Sequence, residues 1–402
     1  MLDLRKRYLS NIKGDLMGGL TAGIVALPLA LAFGVASGMG AAAGLYGAII
    51  VGILAALFGG TPAQVSGPTG PMTVVVAGFI AANTGEPGLI FLAVALAGVF
   101  QIVFGLLRVG DYIKFIPYPV ISGFMSGIGV IIIVQQIAPF LGLASEARIL
   151  EAVKKIPETV MAMNPTAAAL GALSLALVYL SPRVIKGVPG PLVAIVVGTL
   201  VAVVLRLDVP VIGELPSGLP GLQWPGGSLE TWGVVVVPAL VLAVLGAIDS
   251  LLTSLVADNI TKTRHNSNQE LIGQGIGNAV AGLFGGLPGA GATMRTVVNV
   301  KAGGRERLSG AVHGLILLLA LVGLGALASR IPLAVLAGIL ITVGIGIVDY
   351  KGIRHALRAP RGDTAIMLVV LVLTVFVDLM QAVAIGLIMA AMLVVKRLSD
   401  MF

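Results

Sequence analysis

Two short stretches decide how this chain is read: SGPTGPMTVVV at residues 66–76 and GAGATMRTVVNV at residues 289–300. Each runs from a Gly-rich, extended approach through a small or hydroxyl-bearing residue to a methionine and a β-branched run. Each sits in strongly apolar surroundings. They read as matching half-helices in two repeats of one chain, the sequence pointer to an inverted-repeat membrane protein with its binding site at the bilayer midplane. The second stretch also carries Arg295, a permanent cation where the sequence otherwise reads as buried in the membrane.

Working outward, composition agrees. The 402 residues are 57% hydrophobic and only 11% charged, against roughly 25% charged in an average soluble domain. A polytopic membrane protein is expected. The 55 glycines allow close helix–helix approach in lipid. With no cysteine, disulfides, thiolate metal sites and cysteine nucleophiles are excluded. The opening MLDLRKRYLSNIKGD is too polar for the core of a signal peptide, and residues 1–14 read as an interfacial or cytoplasmic lead-in.

Hydropathy divides the chain into about fourteen spans, several of them shorter than the ~20 residues of a full crossing. They cover 15–38, 44–59, 69–83, 88–107, 117–138, 166–181, 189–205, 232–257, 269–287, 293–300, 308–328, 331–348, 364–378 and 380–395. The charges test this division independently. With the N-terminus cytoplasmic, the outside loops keep Arg148, Lys154, Lys155, Arg206 and Arg330. Arg295 is left over, and the rest of the 25 Lys and Arg lie inside. That asymmetry satisfies the positive-inside rule with both termini cytoplasmic, in a bacterial-type inner membrane. The net charge of +7 is therefore a topology signal and gives no ground for nucleic-acid binding.

Among the carboxylates, only Asp249 falls near the middle of a long apolar span. Asp15 stands at a helix start and Asp378 at a tight turn. A charge at mid-membrane costs on the order of 2.5 to 3.5 kcal/mol on insertion scales, so Asp249 and Arg295 both need partners or a wet cavity. The two could simply neutralise each other. A functional reading follows from the half-helices: their unpaired N–H groups and about half a positive charge of dipole at each N-terminus make an anion site. Gly67, Gly70, Gly289 and Gly291 would let a ligand approach the backbone. Thr69 and Thr293 would add hydroxyls, and Arg295 a planar cation. Asp249 and Thr253, at i and i+4, share one helix face. Their oxygens, with backbone carbonyls at a broken helix, suit a hard cation such as Na⁺.

GGLTAGIVALPLALAFGVASG, GPTGPMTVV, IDSLLTSLVAD, HNSNQELIGQGIGN and IPLAVLAGI together resemble the sulfate permease (SulP) family of anion transporters, and within it the BicA-type sodium-dependent bicarbonate branch. The likeness runs over essentially the whole chain. It implies an all-α, seven-plus-seven inverted-repeat fold that works as an elevator and forms a homodimer. A core domain would hold helices 1–4 and 8–11, and a gate domain helices 5–7 and 12–14. In this chain the blocks are 15–138 (core helices 1–4, with gate helix 5 starting at 117), 139–231 (gate helices 6 and 7 with outer loops), 232–328 (core helices 8–11) and 329–402 (gate helices 12–14). The STAS domain that follows the last helix in the family is not expected within these residues. Carried over position by position, Thr69, Ala292 and Thr293 would contact the anion. Asp249 and Thr253 would bind Na⁺.

The expected activity is thus secondary anion transport, with Na⁺-coupled bicarbonate symport first and proton-coupled dicarboxylate or sulfate symport next. An uncoupled anion channel or exchanger, and a nucleobase–cation symporter of the same fold, complete the alternatives. The last would want a carboxylate where Arg295 stands. No cofactor beyond a co-ion is called for, and an enzyme is disfavoured by the lack of H-E-x-x-H and G-x-S-x-G. His313 reads as a packed helix residue and His265 as a solvated loop residue. Trp224 and Trp232 read as interfacial anchors, and SEARILEAVKKIPETV as an amphipathic helix on the outer face.

Overall fold

Nearly every helix boundary follows from where apolar runs meet Gly, Pro or charge. The protein is represented by a computed structural model, which describes residues 10–83, 88–113, 118–145, 149–185, 188–213, 218, 221–222, 229–356 and 361–377, with 382, 385, 388, 389 and 392 besides. The first half contains α1 (Ile12–Ala36), α2 (Ala41–Phe58), the two-residue strand β1 (Ser66–Gly67), α3 (Gly70–Ala82), α4 (Gly88–Leu106), α5 (Tyr118–Phe140), α6 (Pro165–Val184) and α7 (Gly190–Val204). The second contains α8 (Leu229–Thr261), α9 (Ser267–Leu283), β2 (Ala290–Gly291), α10 (Thr293–Lys301), α11 (Arg307–Ala328), α12 (Leu333–Ile347) and α13 (Arg361–Phe376). The expected span 380–395 lies largely outside the described residues, as do Asp378, Trp224 and residues 1–9.

Among the described residues, seven helices are long and apolar enough to cross a membrane. α3, with 13 residues, reaches about 20 Å and α10, with 9 residues, about 13 Å, at 1.5 Å per residue. Neither spans a hydrocarbon core about 30 Å thick. The outer helix Ile149–Met161 has no buried residue, as its alternation of apolar stripe and Glu/Lys face requires.

Packing sorts the helices into two groups. α1 lies on α2 and α11, α2 on α9 and α11, and α4 on α8 and α9; α5 lies on α12 and α13, and α12 on α6. Small residues permit this. A Cβ on Gly275 of α9 would stand 2.5 Å from the Gly98 carbonyl oxygen of α4. Within the first group the pairings map onto themselves when helices of the first half are exchanged for those of the second. Thus α1 with α11 becomes α8 with α4, and α2 with α11 becomes α9 with α4. Contacts between the groups do not obey the exchange. α1 packs on α12 and α7, and α3 on α5, whereas the counterparts of α1 on α12 and of α3 on α5, namely α8 on α5 and α10 on α12, are weak.

Candidate functional site

A backbone that is neither helix nor closed barrel survives inside a membrane only if its polar groups are met by protein. The segments leading into α3 and α10 meet this by pairing with each other. β1 and β2 are antiparallel, with Ser66 opposite Gly291 and Gly67 opposite Ala290. The Ala292 N–H donates to the Val65 carbonyl at 2.9 Å, and the Val65 N–H to Thr296 Oγ1 at 3.0 Å. Asn278 of α9 accepts from the Gly289 N–H at 2.7 Å and donates to the Gly289 carbonyl at 2.9 Å. From α8, Ser250 Oγ accepts from the Gly291 N–H at 3.0 Å, and Thr253 Oγ1 donates to the Gly291 carbonyl at 3.0 Å.

Because the strands are antiparallel and each runs at once into a helix, α3 and α10 leave in opposite directions with both N-termini at the level of the strand pair. Thr69 and Ala292 are the N-cap residues, and neither helix has a capping side chain. Elsewhere Asn164 and Asn266 do cap, accepting from the first-turn amides of α6 and α9. The first-turn N–H groups of the two half-helices have no intrahelical partner, and Pro71 removes one of them from α3. Two positive helix ends therefore converge without side-chain caps.

The charged residues lie around this convergence. Arg295 is only 2% exposed. Its Nη2 donates to the Pro68 carbonyl at 2.5 Å, and its Nη1 lies 2.7 Å from where a Cβ on Gly67 would be. The guanidinium thus reaches from the second half-helix beneath the strand that leads to the first. It interacts electrostatically with Asp249. The Thr69 hydroxyl is buried and faces that carboxylate. Thr253 Oγ1 and Thr293 Oγ1 share a hydrogen bond of 2.8 Å. Asp249, Ala292 and Thr293 keep partial exposure, while Met294 is 74% exposed, so the first turn of α10 has one open side and a buried side where Arg295 sits.

Thr69, Gly70, Ala292, Thr293, Asp249 and Thr253 are thus brought to one locality. Three expected contributions take a different form. The Gly289 N–H is already accepted by Asn278, and a Cβ there would stand 2.7 Å from the Gly67 carbonyl carbon. Gly291 cannot offer its N–H to a ligand, because Ser250 already accepts it; glycine is needed there because a Cβ would overlap Gln64 and stand 3.0 Å from the Ser250 Cα. Gly67 likewise makes room for Arg295 and not for a ligand.

Sequence reading missed the support underneath. Glu270, 1% exposed, is a second buried carboxylate. Its Oε2 accepts from the N–H groups of Gly60 and Thr61, each at 2.8 Å. Its Oε1 accepts from Gln64 and Gln274, each at 2.8 Å. Gln64 in turn accepts from the Ser254 hydroxyl at 2.9 Å, which ties α8 to the loop before β1. Asp15 does more than start a helix: it is buried, and its Oδ1 accepts from the N–H groups of Arg305 at 2.7 Å and Glu306 at 3.0 Å. His265 is not simply solvated, since its Nδ1 lies 2.7 Å from Asp258 Oδ2. His313 is fully buried on α11.

Converging half-helix N-termini beside the Asp249–Arg295 pair, in an assembly of long apolar helices, define an integral membrane transporter of anions. Residues 12–395 match the Sulfate permease family, and the chain belongs to it. It is 49% identical over 403 residues to the bicarbonate transporter BicA of Synechocystis sp. (strain ATCC 27184 / PCC 6803 / Kazusa), covering 98% of this chain and 72% of that one. It is 39% identical to the putative sulfate transporter YvdB of Bacillus subtilis (strain 168), over 89% of this chain and 68% of that one. Among solved structures, the transmembrane domain of a cyanobacterium bicarbonate transporter BicA superposes with a TM-score of 0.87 at 49% identity, covering 93% of this chain and 98% of that one.

Proposed function

We propose that this protein is a Na⁺-coupled bicarbonate symporter in which α1–α4 and α8–α11 form a mobile core that carries the site past a gate of α5–α7, α12, α13 and the remaining C-terminal span. The observation that carries the reading is the pair of uncapped half-helix N-termini meeting at one level beside Asp249. Each contributes about half a positive charge, while Arg295 and Asp249 offset one another. Before the co-ion binds, a monovalent oxyanion balances the remainder; with Na⁺ added as well, the loaded site carries about one net positive charge. Bicarbonate is chosen among such ions because two relatives that are 49% and 48% identical to the chain are bicarbonate transporters, whereas the putative sulfate transporter YvdB is 39% identical.

The cation is held by oxygens alone: the Asp249 carboxylate, with Thr253 Oγ1, which lies 3.0 Å from the Gly291 carbonyl oxygen and 2.8 Å from Thr293 Oγ1. Among the described residues no cluster of three His, Cys, Asp or Glu side chains converges, and one carboxylate suits a monovalent ion. Thr293 belongs to both halves of the site. Cation binding there would orient its hydroxyl and stiffen the α10 N-terminus, which links the two ions energetically.

Arg295 favours a second reading. With a cation added, the same charge ledger balances a dianion, so proton- or Na⁺-coupled transport of sulfate or a dicarboxylate is the competing assignment. Uptake of labelled bicarbonate, sulfate and fumarate into proteoliposomes, each under a Na⁺ or an H⁺ gradient, decides between them. Bicarbonate uptake driven by Na⁺ is expected. Uptake that ignores both gradients would remove coupling from the reading, and sulfate uptake in place of bicarbonate would establish the second. The same reading takes the functional unit to be a homodimer, which the mass of the purified protein in detergent tests.

A further inference from the structure

Gly70, the first residue of α3, faces the gate across a very narrow gap. A Cβ built on it would stand 2.8 Å from Ile132 Cδ1 and 2.9 Å from Ile347 Cδ1. Ile132 belongs to α5 and Ile347 to α12, and the two helices approach each other backbone to backbone one turn away. A Cβ on Gly129 would meet the Gly344 carbonyl oxygen at 2.7 Å, and a Cβ on Gly344 the Gly129 carbonyl oxygen at 3.0 Å. Each isoleucine follows its crossing glycine at i+3, on the same helix face. α5 and α12 are also the helices that exchange for one another under the repeat, so the two isoleucines form a symmetric pair. A tight glycine crossing delivers both Cδ1 atoms to one point, over the free end of the first half-helix.

We infer that Ile132 and Ile347 are the specificity-determining residues of the gate, a two-methyl stop that limits the size of the oxyanion admitted at the α3 N-terminus. The inference rests on the reading of that N-terminus as part of the anion site. The helix ends and Arg295 attract any small oxyanion and discriminate poorly by charge distribution. Steric exclusion by packed apolar groups discriminates well against bulk, and the methyl groups offer nothing to replace the water that a larger anion would shed. Placing the stop on the gate and not on the core means that anion charge and anion size are read by different bodies. Both isoleucines are branched at Cβ and so restricted at χ1, which suits a fixed wall.

The test is the double variant Ile132→Val with Ile347→Val, which deletes the two Cδ1 atoms and little else. Michaelis constants are measured in proteoliposomes for formate, bicarbonate, sulfate and fumarate. The ratio of the fumarate to the bicarbonate constant is expected to fall roughly tenfold, the scale on which one methylene discriminates in an apolar pocket. Gly70→Ala, which fills the same gap from the core side, should move the ratio the other way. If the double variant is poorly folded, the single Val variants carry the same comparison. The volume-conserving change Ile132→Leu should hold the ratio near that of the parent chain, which a general loosening of the gate would not. Uptake that persists with an unmoved size order would overturn this inference alone. Absence of any anion uptake by the parent chain would overturn the transport reading and this inference with it.

Discussion

At the scale of single residues, a membrane-buried charge is informative because its setting offers so few partners. Asp249 has Thr69 and Arg295 around it, and Thr253 one turn away on its own face. Asp249→Asn keeps the shape and removes the charge, so Na⁺ stimulation of uptake should vanish while the protein still folds; measuring uptake against Na⁺ concentration checks this. Glu270 predicts the opposite balance. Its carboxylate accepts four hydrogen bonds from Gly60, Thr61, Gln64 and Gln274, and Glu270→Gln replaces an acceptor oxygen with a donor that opposes at least one of them. A loss of about 1 to 3 kcal/mol is expected for the buried donor left unsatisfied, read as a lower melting temperature in detergent. Asp249 and Arg295 were legible because each interrupts an apolar run. Glu270 was not, because it follows the polar stretch TKTRHNSNQ and is buried only by a loop some two hundred positions away, the Gly60 contact being 210 residues distant in sequence. The commitment of the Gly291 amide to Ser250 was hidden for the same reason.

Elements show where periodicity carries information and where it gives out. Hydropathy located every described span to within a few residues, and the short length and Gly/Pro approach of α3 and α10 marked them as half-helices. The strands that join them were invisible, since two residues have no period and their partners are each other. Their support comes from α9, where Asn278 satisfies both polar groups of Gly289 and also donates to Gln101 Oε1 at 2.8 Å. Asn278→Leu would strand the Gly289 N–H and carbonyl in an apolar setting. The half-helix pair should then lose its fixed geometry, so anion affinity should fall by about tenfold or more, in line with a cost of 1 to 3 kcal/mol for unmet buried groups. Binding of a labelled anion to the purified protein measures it. An unchanged affinity would show that β2 holds its position without α9.

For the whole molecule, the correspondence of segments 3 and 10 pointed to a repeat, but not to the state in which the two groups of helices meet. The absence of native cysteine makes this accessible. In the described state a short bifunctional thiol reagent should cross-link Gly70→Cys to Ile132→Cys, since a Cβ on Gly70 would stand 2.8 Å from Ile132 Cδ1. Exchanging halves turns that pair into Thr293 and Ile347, at the N1 position of α10 and on α12. A Thr293→Cys, Ile347→Cys variant should cross-link only when the core has moved; the readout is the yield of each cross-link, since Gly70 and Thr293 belong to the site and their substitution alone lowers uptake. Cross-linking of both pairs within one static population would contradict a two-state core. The contacts between α1 and α12 and between α3 and α5, which break the internal exchange that the helix pairings of the first group obey, have a thermodynamic meaning. On the proposed mechanism, in which the halves swap roles, the chain has a second arrangement built from equivalent contacts, and hence of nearly equal free energy. Such a protein has no preferred direction of its own: which way the cargo moves is decided by the two solutions it separates.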